Sequence, residues 1–300
     1  MTAVGTRETP RERLAYHGYA LAERLARALP ERWSRAVFAA LGRLAHAALP
    51  GVRATVARNL ARVLGRPPDD PLVRAATREA FDLYARYWHD TFRLPAMGPE
   101  VVRARFRVEG LEHLDAALAR GRGAICVAPH MGNWDAAGAW LAASGYRAVA
   151  VAERLRPERL YRLFVRHRER LGIGIIPLEP GGGVARRLAE HLAENRIVGL
   201  IADRDLTGRG IEVEMFGARR RLPSGPATLA LTTGAPLLPC AVYTEPEGWR
   251  CVIGAPVELP RTGDQRADAE AITRAVAAAF ERAIAASPAD WHMFQPAWEG

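Results

Sequence analysis

One short segment places a histidine and a carboxylate at a spacing that could support proton transfer. In PHMGNWD (129–135), four residues separate His130 from Asp135. The segment follows the apolar run GAICVA, so it lies at the carboxyl end of a predicted strand, where ligand sites of α/β sheets cluster. An imidazole there can take a proton from a hydroxyl that attacks a carbonyl carbon, and a carboxylate can hold the ring in the required tautomer. Backbone N–H groups near Gly132 and Asn133 could bind the negatively charged oxygen that develops on the carbonyl group during this attack. Alternatively, His130 and Asp135 only stabilise the start of a helix, as a capping residue and a first-turn acid.

A second charged segment, Ala202-Asp203-Arg204-Asp205, follows another apolar run, RIVGLIA. It also lies at the carboxyl end of a predicted strand, so Asp203 could orient His130 from across the sheet. Asp205 could hold Arg204 in an ion pair. A solvated salt bridge in a loop explains the same residues, and two carboxylates alone give little support for a metal site.

Arginines form further groups that could bind phosphate. Arg209 and the run Arg219-Arg220-Arg221 precede a Gly-Pro turn and an apolar helix, an arrangement that could cradle a phosphate group. A basic surface loop is the alternative. Glu153 ends another predicted strand, and Arg168 is one of several basic residues on the helix that follows it.

The charge balance limits the classes of partner. Every one of the 42 basic residues is an arginine, and 33 acidic residues leave a net charge of +9. Guanidinium groups bind phosphates bidentately, so anionic lipid, a phosphorylated small molecule and nucleic acid are all compatible with this charge. Zinc-finger spacing and aromatic ribonucleoprotein signatures are missing, so we expect no nucleic-acid partner. Cys126, Cys240 and Cys251 lie in apolar runs without metal-ligand spacing, which predicts buried thiols in a reducing compartment and no metal site.

The elements that must position these residues follow an alternating pattern. From about residue 105, apolar runs alternate with helical patterns, which predicts an α/β fold with a mostly parallel central sheet flanked by helices. Strands are predicted at 123–128, 147–151, 173–178, 196–202, 211–216, 237–243 and 249–254, and helices at 133–143, 157–171, 183–194 and 266–286. We expect one α/β core over 105–300.

The first part of the chain has a different character. Residues 1–12 are polar and charged, so we expect a disordered tail, no signal peptide, and a single domain over 13–300. Over 13–64, leucines recur every four residues beside arginines, which predicts amphipathic helices divided at Pro30 and Pro50-Gly51. These helices could lie on a membrane surface or pack on their own domain. An aromatic-rich helix is predicted at 71–92, and no apolar run approaches the roughly 18 residues of a membrane span.

Several ordered segments together resemble the bacterial late lipid A acyltransferase family, and more closely its actinobacterial branch, the phosphatidylinositol mannoside acyltransferases. They are PHMGNWD, VAERLRPERLYR with RHRERLG, IADRDLTGRGIEVEMFG, RRLPSGPATLAL and PADWHMFQPAW. The resemblance implies that His130 accepts a proton from a sugar hydroxyl, that Asp203 pairs with it, and that Asp135 is structural support or a second orienting group. The family branch has glutamate where this chain has Asp203, so the acid that orients His130 stays open between Asp203 and Asp135.

The resemblance also implies substrates. Acyl-CoA would donate a long acyl chain such as palmitoyl, and a mannosylated phosphatidylinositol would accept it at the 6-hydroxyl of the mannose on inositol O2. No acyl-enzyme, cofactor or metal is implied. The expected location is peripheral, on the cytoplasmic face of the cell membrane. The substrate-binding positions carried over are Glu153, Arg168, Arg204, Asp205, Arg209 and Arg221.

Three other functions remain open from the residues alone. The enzyme could use another glycolipid acceptor. A hydrolase would need a nucleophile beside a base, and no G-x-S-x-G elbow is present. A non-catalytic lipid-binding protein at the membrane surface would fit the basic amphipathic helices, although His130 with two candidate acids argues against it.

Overall fold

A seven-stranded sheet is the centre of the structure, a computed structural model that describes residues 8–178 and 183–298. In spatial order its strands are β1 (Phe106–Glu109), β9 (Gly248–Ile253), β8 (Leu237–Glu245), β2 (Ala124–Ala128), β5 (Ile197–Ile201), β3 (Ala148–Glu153) and β4 (Gly174–Leu178). The five strands from β8 to β4 are mutually parallel, whereas β9 is antiparallel to β8 and parallel to β1. The predicted α/β fold with a mostly parallel sheet is therefore confirmed.

Helices cover both faces of this sheet. They are α5 (Pro99–Arg105), α6 (Leu111–Leu118), α7 (Trp134–Ala143), α8 (Glu158–Arg170), α9 (Val184–Ala193), α10 (Gly225–Thr233) and α11 (Gln265–Ala286). Side chains alternate along a strand, so Ile125 and Val127 of β2 join the core with α9, α10 and α11, while Ala124 joins the core with α5, α6 and α7. Both faces of the sheet are buried, which explains why its strands are apolar without alternation.

Four helices precede the sheet: α1 (Pro10–Ala28), α2 (Glu31–Ala48), α3 (Pro50–Leu64) and α4 (Pro71–Arg93). The predicted divisions at Pro30 and Pro50 are confirmed. Thr9 and Glu12 form a capping box at the start of α1, so this helix begins inside the segment 1–12 for which we expected a disordered tail. Residues 1–7 lie outside the described residues.

The helices α1 and α2 present an apolar surface outward. One side of α2, which includes Phe38, is buried and lies against α4. The apolar stripe lies on the outward side of both helices, where Leu21 of α1 and Trp33 and Leu44 of α2 are 58%, 58% and 62% exposed. This stripe is not packed on the described part of the domain. None of the described helices has both the length and the apolar character of a helix that crosses a membrane.

A two-stranded hairpin, β6 (Ile211–Met215) and β7 (Ala218–Leu222), lies beside the main sheet and contacts α11. Its register pairs Val213 with Arg220 and Glu214 with Arg219. The arginine run is therefore part of a strand, in which successive side chains point to opposite faces.

Candidate active site

Three parallel strands bring the predicted site residues to one edge of the sheet. Ala128 at the end of β2 pairs with Ile201 at the end of β5, so His130 and Asp203 each follow two residues later at the same level. Neighbouring strands lie about 4.8 Å apart, which allows these two side chains to meet. Glu153 ends β3 on the other side of β5, where it is exposed.

His130 and Asp203 form a close pair. The Nδ1 atom of His130 lies 2.5 Å from Oδ1 of Asp203, and the backbone N–H of His130 donates to Oδ2 at 3.0 Å. An ionised carboxylate only accepts hydrogen bonds, so Nδ1 carries the proton and Nε2 is the free acceptor. Within the described ranges, no residue makes a hydrogen bond to Nε2, and the His130 side chain is 24% exposed.

The carboxylate of Asp203 is fully buried and ionised. Trp291 Nε1–H donates to Oδ2 of Asp203 at 2.8 Å, and the guanidinium of Arg220 donates to the backbone carbonyl of Asp203. Burial alone would raise the pKa of Asp203, but the neighbouring His130 and the hydrogen bonds from the His130 ring, the Trp291 indole and the His130 backbone N–H lower it to about 2. Asp203 is therefore a fixed negative charge behind the imidazole.

The C-terminal segment holds the loop that carries His130. Met131 pairs with Trp291 in an isolated antiparallel bridge, and the backbone N–H of His292 donates to the carbonyl of His130 at 2.7 Å. Gly132 has a φ of 56°, and a Cβ there would lie 2.2 Å from the carbonyl oxygen of Val242. Only glycine fits this close approach of two backbones.

The N–H of Gly132 is already used, because it donates to the carbonyl of Asp290 at 3.0 Å. The expectation that it could bind an oxyanion is therefore wrong for this conformation. Asn133 instead caps α7 by accepting from the N–H of Ala136 at 2.9 Å. Trp134 lies edge-on to the imidazole of His130, with ring centroids 5.5 Å apart.

Asp135 pairs with a different partner. It is buried in the first turn of α7, where Arg168 Nε donates to it at 2.6 Å and the hydroxyl of Tyr87 donates at 3.0 Å. Burial raises the pKa of Asp135, but the charge and hydrogen bond of Arg168, together with His167 and the Tyr87 hydroxyl, outweigh this and lower it below its ordinary value. The acid beside His130 is therefore Asp203, whereas Asp135 and Arg168 tie α7 to α8 and α4.

The charged turn after Asp203 departs from the expected ion pair. Asp205 accepts hydrogen bonds from Thr207 N at 2.9 Å and Gly210 N at 2.6 Å, so its carboxylate closes its own turn and does not hold Arg204. Arg204 is half-buried near Tyr84. Burial raises the pKa of Tyr84, and the positive charge of Arg204 only partly opposes this rise. Arg209 is exposed at the tip of the turn.

The expected cradle of three arginines is also wrong, since alternation along β7 separates them. Arg221 is exposed, donates to the carbonyl of Gly210 at 3.1 Å and lies 4.0 Å from Glu212. Arg219 is exposed as well, whereas Arg220 is buried against Asp203. The alternation of outward and inward side chains along the hairpin strands is the sequence signal that could have predicted a buried position for Arg220.

Trp291 and His292 were also missed as site residues, although the resemblance included the segment PADWHMFQPAW. Burial lowers the pKa of His292 to about 3, so its ring is neutral and Nε2–H donates to the carbonyl of Gly132 at 3.0 Å. Nothing local in the sequence indicates that this segment reaches a loop 160 positions earlier.

The three cysteines lie on neighbouring strands of the sheet. Cys251 is buried, and burial raises the pKa of its thiol to about 12. Contact with Cys126 and burial raise the pKa of the Cys240 thiol well above its ordinary value. The thiols of Cys240 and Cys251 therefore stay protonated and are poor nucleophiles. In the described part of the chain, no three His, Cys, Asp or Glu side chains are grouped so that they could hold a metal ion.

Comparison with known proteins shows the family of the chain. Residues 6–299 match the family described as bacterial lipid A biosynthesis acyltransferase. A phosphatidylinositol mannoside acyltransferase of Mycolicibacterium smegmatis is 45% identical over 285 residues, which cover 94% of this chain and 90% of the relative. A protein of the same name from Mycobacterium tuberculosis is 45% identical over 286 residues, covering 93% of this chain and 87% of the relative. The chain therefore belongs to the bacterial lipid A biosynthesis acyltransferase family.

Proposed function

We propose that this enzyme transfers a long acyl group from acyl-CoA to a mannose hydroxyl of a phosphatidylinositol mannoside, at the 6-hydroxyl of the mannose on inositol O2. The names of its mycobacterial relatives support the acceptor. The observation that carries the chemistry is the contact of 2.5 Å between His130 Nδ1 and the buried Asp203, which leaves Nε2 of the partly exposed ring free.

In the proposed reaction, Nε2 of His130 accepts the proton of the mannose hydroxyl while the hydroxyl oxygen bonds to the thioester carbonyl carbon. The C–S bond then breaks, and the proton on Nε2 passes to the sulfur of the departing CoA. Asp203 holds the ring and stabilises the imidazolium that forms between these steps. Transfer is direct, without an acyl-enzyme, a cofactor or a metal.

Exposed and half-buried polar residues at the same edge are the proposed contacts for substrate. Glu153 ends the strand next to that of Asp203 and could accept hydrogen bonds from sugar hydroxyls. Arg204, Arg209 and Arg221 lie on the turn after Asp203 and on β7, where guanidinium groups suit the phosphates of CoA or of the lipid. Asp205 contributes indirectly because it holds the turn that carries Arg204 and Arg209, and Arg168 because it holds Asp135 in the first turn of α7, just after His130.

One incubation tests this function. Purified protein is mixed with acyl-CoA and a mannosylated phosphoinositide, and both CoA release and acylated lipid are measured. We expect acylated lipid from the wild type and from His113→Ala, a control histidine on α6, and none from a folded His130→Ala variant. CoA release without acylated lipid would instead indicate a hydrolase, and lipid binding without turnover would indicate a non-catalytic lipid-binding protein.

We further propose that the exposed stripe of α1 and α2 rests on the cytoplasmic face of the membrane. Leu21, Trp33 and Leu44 provide apolar side chains, and neighbouring arginines provide positive charge for anionic headgroups. We expect Trp33→Asp to weaken sedimentation with anionic vesicles. Leu72→Asp is the matched control, since Leu72 is 55% exposed but lies in the first turn of α4 and not on α1 or α2. Equal sedimentation of wild type and Trp33→Asp would refute this placement.

A further inference from the structure

A buried arginine next to the His130–Asp203 pair has no part in the proposed reaction. Arg220 is only 7% exposed, although both of its neighbours on β7 point to solvent. Its guanidinium donates to the backbone carbonyl of Asp203, and its Nε and Nη1 atoms have no hydrogen-bond partner within residues 8–178 and 183–298. A buried cation with so few partners is costly unless a nearby negative charge stabilises it.

The surroundings of Arg220 fix its position. Its guanidinium carbon lies 5.7 Å from the ring centroid of Trp291 and 5.2 Å from that of Trp298, within the range of cation–π attraction. Trp291 is itself 1% exposed and donates to Oδ2 of Asp203 at 2.8 Å. The same indole therefore contacts both the arginine and the carboxylate.

The charge of Arg220 affects the interaction between Asp203 and His130. Burial lowers the pKa of Arg220, and the negative charge of Asp203 acts in the opposite direction. Asp203 faces two positive or potentially positive groups, Arg220 and His130. A carboxylate whose charge is already partly offset stabilises an imidazolium less.

We propose that Arg220 and Trp291 are positioning residues of the acyl transfer: Trp291 holds the carboxylate of Asp203 and Arg220 its backbone carbonyl behind His130, and the charge of Arg220 limits how strongly that carboxylate stabilises an imidazolium. This inference rests on the proposed function. Loss of the arginine charge leaves Asp203 free to stabilise the imidazolium, so the fraction of neutral His130 falls at a given pH. A role in packing alone would leave the ionisation of His130 unchanged.

The test is a titration of His130 in the full chain, followed by NMR of labelled histidine and assigned by the resonance missing from His130→Gln. In Arg220→Met we expect the midpoint to move to higher pH by up to about one unit. Arg220→Lys keeps the charge and should titrate close to the wild type. Arg219→Met is the matched control, since this neighbouring side chain is 84% exposed and should have no effect.

An unchanged midpoint in folded Arg220→Met overturns the proposal. Should that variant not fold, Trp291→Phe removes the donor to Oδ2 and is expected to move the midpoint in the same direction, and an unchanged midpoint in that variant overturns it equally. The acid limb of the pH profile of kcat/KM should move with the titration in each variant. The titration does not require turnover. If the wild type forms no acylated product, the proposed function is refuted, but the titration still tests the effect of Arg220 on His130.

Discussion

Replacing Asp203 with asparagine reverses one hydrogen bond at the centre of the site. The side-chain oxygen of asparagine can still accept from Trp291 Nε1 and the backbone N–H of His130, as Oδ2 of Asp203 does at 2.8 Å and 3.0 Å. Its NH₂ group then faces Nδ1 of His130 and donates to it. The ring proton must move to Nε2, so the nitrogen that should accept the hydroxyl proton is already protonated.

The size of the effect follows from this tautomer change. The same substitution in the triad of a serine protease lowers kcat about 10⁴-fold, so we expect Asp203→Asn to lower kcat roughly 10³- to 10⁴-fold. The free energy of unfolding should also fall, but only modestly. The difference between the ordinary pKa of 3.8 and the value of about 2 in the fold corresponds to about 2 kcal/mol at neutral pH.

Asp135→Asn provides the contrast, because Asp135 is equally buried but contacts Arg168 and Tyr87 and not His130. Removal of one partner from a buried ion pair costs about 3–5 kcal/mol of folding stability. The His130 tautomer is untouched. We therefore expect Asp135→Asn to lose more stability than Asp203→Asn but to keep far more of its kcat when assayed below its melting temperature.

The assay is steady-state CoA release at saturating acyl-CoA and acceptor lipid, with thermal unfolding of each variant measured in parallel. The two ratios, of kcat and of unfolding free energy, should rank the variants in opposite orders. If folded Asp135→Asn loses as much kcat as Asp203→Asn, or more, the assignment of Asp203 as the acid that orients His130 is wrong.

Three further predictions concern the supports of this pair. Gly132→Ala should destabilise the fold by more than about 2 kcal/mol, because its Cβ would meet a neighbouring backbone carbonyl at 2.2 Å; thermal unfolding should show a smaller loss for Gly145→Ala, which has φ +85° but nothing within 4 Å, and equal losses would refute the clash. Asn59→Ala removes three hydrogen bonds to the C-terminal segment, two donated and one accepted, and should speed amide exchange in that segment; unchanged exchange would contradict the anchoring role. The stability that Asp203 contributes should be present above about pH 4 and disappear as pH falls through about 2, since its pKa is lowered in the fold; unfolding curves of wild type and Asp203→Asn that fail to converge there would disprove it.

The central sheet could be predicted from the sequence because its signal is local. Runs such as GAICVA and RIVGLIA are almost wholly apolar, as strands buried on both faces require; a helical pattern follows the first run and precedes the second. Parallel strands joined by helices share one carboxyl edge. Those facts alone bring His130 and Asp203 to the same edge, and the structure confirms this meeting.

Other local patterns do not determine which charges meet. Alternation along the hairpin places Arg220 and Arg221 on opposite faces of β7, so the prediction that they form one phosphate cradle is wrong. Asp205 was paired with Arg204, but the backbone N–H groups of its own turn lie closer and use both oxygens. In both cases the geometry of a strand or a turn decided which charges can meet.

The tertiary structure alone decided which acid serves His130 and what holds that acid. Asp135 lies on the same segment as His130, yet its place inside the first turn of α7 directs it to Arg168 and Tyr87. Asp203 lies 73 positions from His130 and 88 from Trp291, which binds it. Sequence periodicity records which face of an element is buried. The partner of a buried polar group depends on how distant segments dock, because any nearby donor of suitable geometry can satisfy it.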